Sequence, residues 1–314
     1  MPHSGGVVGR EAFIMSKTKK GLSICLLCYV LWGILPVYWN LLGGLNPLFI
    51  LCCRIIFAFV FTVCVLAISG RLKALVATLK NKDAMRYLAP AAVLITFNWG
   101  LYIWAVNTGR ILDTSLGYYM NPLIAYLLGI LVFREKSTKL QLAAVALAFT
   151  GVLISLIAYG SFPFISISLS LSFATYGVFK KKAGADPVAG IAVESLVITP
   201  FALAFAIIFM RESISTVSAV NMLLLIGGGA ATAMPLVLYA RAVNDIPFII
   251  VGFFQYLSPT LTLTYGLIMG EKPSASQIVS FIFIGLGLIV FSIALVRNAR
   301  YYDNSAQQES VRVK

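Results

Sequence analysis

Histidine is almost missing from this 314-residue chain: the one copy is His3, near the start. A histidine-based metal site or a nucleophile–histidine relay is therefore excluded from the body of the sequence. Charge is scarce as well. Asp, Glu, Lys and Arg make up 11% of the residues, against about a quarter in a soluble protein. Of these only 11 are acidic, too few to group several carboxylates at one depth for acid–base or metal chemistry. No Gly-x-x-x-x-Gly-Lys-Ser/Thr run is present, and Gly227-Gly228-Gly229 is followed by apolar residues, so a phosphate loop is absent from the sequence. The five cysteines lie in apolar stretches; Cys25 and Cys28 form a lone Cys-x-x-Cys without a second thiol pair, and they read as small hydrophobes, not as a metal or redox site. No cofactor is expected.

What is present is apolar. Hydrophobic residues make up 60% of the chain, and the mean hydropathy is +0.93. A globule of this size cannot hide that surface, so the chain needs a lipid solvent. A spanning helix takes about 20 apolar residues and a barrel strand about ten of alternating polarity. The runs here are of the longer kind. Turn and charge signals place spans at 21–43, 47–68, 87–107, 113–133 and 139–158, then at 162–180, 187–209, 220–242, 247–269 and 275–296. The expected fold is an all-α integral membrane protein of ten helices. Residues 1–20 and 297–314 form the tails, with the first expected to be loose. Between Ile165 and Ser172 apolar residues alternate with serines, a strand-like period. An isolated strand in lipid leaves its backbone unpaired, so a serine-rich helix facing neighbours or a wet cavity is the reading.

Lys and Arg collect in cytoplasmic loops. With the N-terminus inside, twenty fall on the cytoplasmic side, Lys180, Lys181 and Lys182 among them. Arg110, Arg211 and Lys272 fall outside, and Arg54 lies within a span. The split accounts for the formal net charge of +13 without nucleic acid, because the basic residues are scattered among short loops. Both termini are expected in the cytoplasm, and the bilayer, the bacterial plasma membrane, is the expected environment.

The chain also repeats itself. Ala105-Val106-Asn107 recurs as Ala242-Val243-Asn244, and Tyr119-Met120-Asn121-Pro122 as Tyr256-Leu257-Ser258-Pro259, both at an offset of 137. Glu135-Lys136 matches Glu271-Lys272 at 136, and Pro47 matches Pro187 at 140. Residues 21–158 and 162–296 thus form two five-helix units. Five is odd, so the copies must be inverted across the bilayer, a recurring design of secondary transporters.

These motifs resemble a known family. Tyr29 to Trp39, the Asn121-Pro122 helix ending in Glu135-Lys136, and Gln255-Tyr256-Leu257-Ser258-Pro259 before Gly270-Glu271 are similar to the RarD branch of the EamA-type drug/metabolite transporters, over roughly residues 17–297. The resemblance implies two inverted five-helix repeats around a central cavity lined by the first four helices of each half. The chain departs from it at Cys53-Arg54, where the branch usually carries His-Arg, and at the one-residue deletion between Gly266 and Glu271.

The function this implies is secondary transport: export of a small organic metabolite or amphiphilic, drug-like solute by alternating access. A lipid flippase or scramblase is the alternative, and an integral membrane enzyme a more distant one. The substrate-site candidates start with Arg54 and Glu194, each seven residues after its repeat-related proline and each a charge inside an apolar span. They are expected to face one cavity, either as an ion pair or as complementary charges for a zwitterion, and Glu194 leaves proton coupling open. Asn98 and Tyr102 share a helix face with Trp99 beside them, and Trp32 is a further aromatic candidate. Pro122 and Pro259 should kink their helices and serve as gates, flanked by Tyr119, Asn121, Gln255 and Tyr256. Identity of the solute, its energy coupling and the oligomeric state are not legible in the sequence.

Overall fold

The computed structural model describes residues 5–268 and 274–312, and within them every regular element is a helix. The helices are α1 (Gly5–Asn40), α2 (Pro47–Ile68), α3 (Leu72–Lys80), α4 (Lys82–Asn107), α5 (Ile111–Phe133), α6 (Lys139–Tyr159) and α7 (Phe164–Ala183). They continue as α8 (Pro187–Phe209), α9 (Arg211–Thr216), α10 (Ala219–Asp245), α11 (Phe248–Phe254), α12 (Leu257–Ile268) and α13 (Ala275–Arg312). Gly270, Glu271 and Lys272, used above in the repeat, lie outside the described residues.

Eight of these helices contain segments long and apolar enough to cross a bilayer: 20–40, 47–68, 82–107, 113–133, 139–159, 187–209, 219–245 and 275–297. Two expected spans differ. The stretch expected at 162–180 is the 20-residue helix α7, whose Ser-rich start and terminal Lys180, Lys181 and Lys182 lower its hydropathy. The stretch expected at 247–269 is interrupted at Gln255–Tyr256, so α11 and α12 are both short. The tail expected to be loose is helical from Gly5, because nothing between Arg10 and Gly21 interrupts a run of helix-tolerant residues.

The loop expected at 69–86 contains another helix, α3, which is strongly amphipathic. Its Leu72, Val76 and Leu79 are exposed, while Leu75 packs against Leu66 and Ala189. With Lys73 and Lys80 on the same helix, α3 has the pattern of an element lying in the membrane interface.

Serines make α7 a tie between helices. Ser166 Oγ donates to the Asp113 carbonyl at 2.7 Å, and Ser170 Oγ donates to the Gly117 carbonyl at 2.7 Å. Small residues set the closest crossings. A Cβ on Gly229 would fall on the Phe57 carbonyl of α2, which is backbone and cannot rotate aside. Gly229→Ala should therefore force α10 away from α2 and cost about 1–3 kcal/mol, read as a lower unfolding midpoint in detergent. An unchanged midpoint would refute the close approach.

Candidate functional site

Two helices begin alike and carry Arg54 and Glu194. Asn46 caps α2, its Oδ1 accepting from the Leu48 amide at 2.9 Å, with Pro47 in the first turn. Asp186 caps α8, its Oδ1 accepting from the Ala189 amide at 3.0 Å, with Pro187 in the first turn. Arg54 and Glu194 follow two turns on, so each sits about 10 Å along its helix.

They do not pair with each other, so of the two arrangements expected for them the Arg54–Glu194 ion pair is corrected. Glu194 Oε1 accepts from Lys180 Nζ at 2.7 Å, and its Oε2 accepts from Tyr176 Oη at 3.1 Å. Both side chains of the ion pair are buried, at 3% and 4% exposure. Lys180 therefore does not stand in a cytoplasmic loop as the charge pattern suggested. It lies four residues after Tyr176 on α7, on the same face, and a lysine that finds a buried carboxylate need not reach water.

Arg54 is held without an acidic partner among the described residues. Its Nε donates to Thr232 Oγ1 at 3.1 Å, and the Thr232 hydroxyl donates onward to the Gly228 carbonyl at 2.7 Å. The guanidinium lies over the ring of Trp39 at 4.2 Å and that of Trp99 at 4.8 Å. Tyr102 and Tyr118, whose rings lie 5.8 Å apart, are within electrostatic reach. Trp39 thus faces the charge.

A small cavity opens beside these groups. Its lining comes from α2, α4, α8 and α10 and includes Ala58, Trp99, Glu194, Ser195 and Thr232. At about 20 Å³ it has room for one or two waters. Glu194 is on the wall, whereas Arg54 lies behind it, in contact with two wall residues, Trp99 and Thr232.

The remaining candidates divide. Asn98 is engaged elsewhere, its amide donating to the Leu169 carbonyl at 2.8 Å and to Ser172 Oγ at 2.9 Å, which ties α4 to α7. Trp32 belongs to an aromatic cluster with Tyr29, Phe173 and Tyr239. Tyr239 in turn stacks on Tyr176, the residue that donates to Glu194. A second group lies on α5 and at the α11–α12 break. Tyr119 packs against Phe281, and Asn121, Gln255 and Tyr256 are buried. Among the described residues the Asn121 Oδ1 and the Tyr256 hydroxyl have no hydrogen-bond partner, a cost of about 1–3 kcal/mol each.

The prolines behave differently from one another. Pro122 is inside the continuous helix α5, where an interior proline removes one backbone bond. Pro259 is in the first turn of α12, where a missing N–H costs little, so its expected mid-helix kink is replaced by a full interruption upstream. There the chain crosses by three-residue turns: the Gln255 amide donates to the Gly252 carbonyl at 3.2 Å, and the Ser258 amide donates to the Gln255 carbonyl at 3.3 Å.

Sequence reasoning missed a further polar centre, where α5 ends. Glu135 Oε1 accepts from Lys181 Nζ at 2.9 Å and from the Phe248 amide at 2.7 Å, while Oε2 accepts from the Ile249 amide at 2.8 Å. The signal was present, since Glu135 belongs to the repeated Glu-Lys motif. Asp113 is buried too, accepting from Arg110 Nε at 3.0 Å and Tyr159 Oη at 2.6 Å. No group of three His, Cys, Asp or Glu with metal-binding geometry occurs among the described residues.

Comparison with known proteins agrees with this architecture. The EamA-like transporter family model matches residues 19–157 and again residues 163–293. An uncharacterized transporter, YojE of Bacillus subtilis, is 39% identical over 287 residues, covering 90% of this chain and 96% of the relative. Protein RarD of Escherichia coli is 35% identical, covering 90% and 97%. A solved crystal structure shares the fold with a TM-score of 0.69 at 13% identity, covering 88% of this chain and 98% of that one. The chain is a multi-pass membrane protein and belongs to the EamA-like transporter family, in which it is RarD-like.

Proposed function

We propose that the chain is a secondary transporter that exports a small organic solute across the bacterial plasma membrane by alternating access. Ten spans, with α7 and the broken α11–α12 completing the count, form two inverted repeats, with both termini in the cytoplasm. The observation that carries this reading is the makeup of the cavity wall. At the repeat offset of 140, Ile55 corresponds to Ser195 and Ala58 to Ile198; at 137, Ile95 corresponds to Thr232 and Trp99 to Leu236. All eight line the one cavity, as expected of a site on the axis relating two halves.

Helix packing supports the same symmetry. α4 packs on α7 as its counterpart α10 packs on α1, and α5 packs on α7 as α12 packs on α1. The pairs α2–α8, α5–α11 and α6–α13 each join a helix to its own counterpart. Two related halves meeting at a water-sized cavity can open it to either side by exchanging conformations. The cytoplasmic charge excess supports the orientation, and the drug/metabolite resemblance supports the outward direction. Glu194 is the acidic group on the cavity wall, so a proton-coupled cycle would have to use it.

Reconstitution tests the reading. Proteoliposomes loaded with a metabolite extract should show saturable efflux of a small set of solutes. Ser195→Phe, which fills the cavity from α8, should reduce that efflux at least tenfold with normal insertion. Efflux linear in concentration, or rapid translocation of fluorescent phospholipid with no solute moved, would overturn the transporter reading, the second in favour of a scramblase.

A further inference from the structure

Resting on that reading, we propose that the Nη1/Nη2 edge of Arg54 is a subsite for a singly charged oxyanion, the carboxylate of a small organic acid, and that the transported solute carries this group.

The geometry leaves the terminal nitrogens of the guanidinium uncommitted among the described residues. A guanidinium has two faces and five N–H donors arranged in a planar fork. Trp39 and Trp99 lie against the guanidinium at 4.2 and 4.8 Å, and Nε is committed to Thr232 at 3.1 Å. Neither terminal nitrogen has a hydrogen-bond partner among the described residues, and neither is among the polar atoms sealed in the core. The edge that remains presents parallel N–H groups, the arrangement that takes a carboxylate with two bonds. Thr232 fixes the rotation of that edge because its own hydroxyl is anchored on Gly228.

Charge narrows the ligand class. An isolated cation inside a span costs several kcal/mol and is normally paired. The charge on the cavity wall, Glu194, is already neutralised by Lys180 at 2.7 Å. Arg54 thus leaves one uncompensated positive charge, which a monoanion cancels. A phosphate monoester carries −1.5 to −2 near neutral pH and would leave excess negative charge in the same apolar surroundings. The neighbouring cavity, which shares Trp99 and Thr232 with the surroundings of Arg54, is lined largely by apolar residues, Ile55, Ala58 and Ile95 among them, and suits a hydrophobic body on the acid. A phospholipid phosphodiester is also singly charged, and the experiment separates that source.

The test uses purified full-length protein in detergent, with phenylacetate, phenylacetamide and phenethylamine as probes sharing one ring and differing in charge. Binding is read by tryptophan fluorescence and by thermal shift. Phenylacetate should bind at least tenfold more tightly than the amide or the amine. Arg54→Gln should abolish that preference, and Arg54→Lys should retain only part of it, because an ammonium offers a point charge without the fork. Thr232→Val should weaken the preference while leaving the charge in place, which covers the case in which Arg54→Gln fails to fold. Equal binding of acid and amide, or an acid preference that survives Arg54→Gln, overturns the inference. Displacement of phenylacetate by a short-chain phosphatidylglycerol but not by other soluble carboxylates overturns it too, since the subsite would then hold lipid. The broader reading fails separately: saturable efflux of a neutral or cationic solute would leave the transporter intact and remove only the carboxylate subsite, whereas absence of any solute flux would remove the transporter.

Discussion

Lys180→Met is expected to destabilise the folded protein by about 3–5 kcal/mol, and Glu194→Gln by a similar amount, whereas the double variant should lie within about 1–2 kcal/mol of wild type. The asymmetry follows from burial. Both side chains are almost fully enclosed, and each is the other's ion-pair partner at 2.7 Å. Removing the lysine leaves a carboxylate with only the Tyr176 hydroxyl to solvate it; removing the carboxylate leaves an ammonium among apolar groups. Removing both leaves a methionine that fills the lysine's volume and a neutral amide that still accepts from Tyr176. Unfolding in detergent, followed by tryptophan fluorescence, measures all three variants. Additive costs would show that the two charges are stabilised independently. The same set tests the partner assignment: were Arg54 the true partner of Glu194, Lys180→Met would be mild and Arg54→Gln severe.

The contrast between Arg54 and Glu194 shows what the sequence makes legible. Both stand out as charges in apolar runs, and both are placed by a cap-and-proline start that can be read directly from Asn46-Pro47 and Asp186-Pro187. Their partners cannot be read that way. Lys180 stands at the head of Lys180-Lys181-Lys182, a run that hydropathy averages into a cytoplasmic loop. Whether such a lysine faces water or a buried glutamate depends on the rotation of α7 against α8, which no local pattern specifies. α7 itself is legible as a serine-rich helix, and its serines serve neighbouring carbonyls. At Gln255-Tyr256 the apolar run continues while the helix does not. Pro259 advertised a disturbance but not its position, because a proline is accommodated in a first helical turn and displaces the break upstream. Helix existence follows from composition, then, whereas breaks and pairings depend on tertiary geometry.

Glu135→Ala should be the other severe substitution, costing about 2–4 kcal/mol, because one side chain serves three donors. α11 begins with backbone N–H groups that have no partner inside their own helix. The amides of Phe248 and Ile249 find it in Glu135, at 2.7 and 2.8 Å, across the interface with α5. The third donor is Lys181 from the end of α7, which also donates to the Ile246 carbonyl at 2.9 Å. Charge-assisted bonds of this kind are worth about 1.5–3 kcal/mol each. The sum is discounted here because Glu135 keeps 14% exposure and Lys181 20%, so water can replace part of what is lost. The backbone is shaped for the contact: Arg134 takes the left-handed conformation, φ 54°, turning the chain out of α5 so that Glu135 meets the start of α11. Glu135→Gln keeps one acceptor oxygen without the charge and should cost about half as much. Lys181→Met, which spares both amides, should cost about 1 kcal/mol by the same scale. Hydrogen exchange localises the effect, since loss of Glu135 should expose the amides of residues 248–250 well before the rest of the protein opens. Uniform exchange across all helices would show that Glu135 acts on global stability instead of holding α11 against α5.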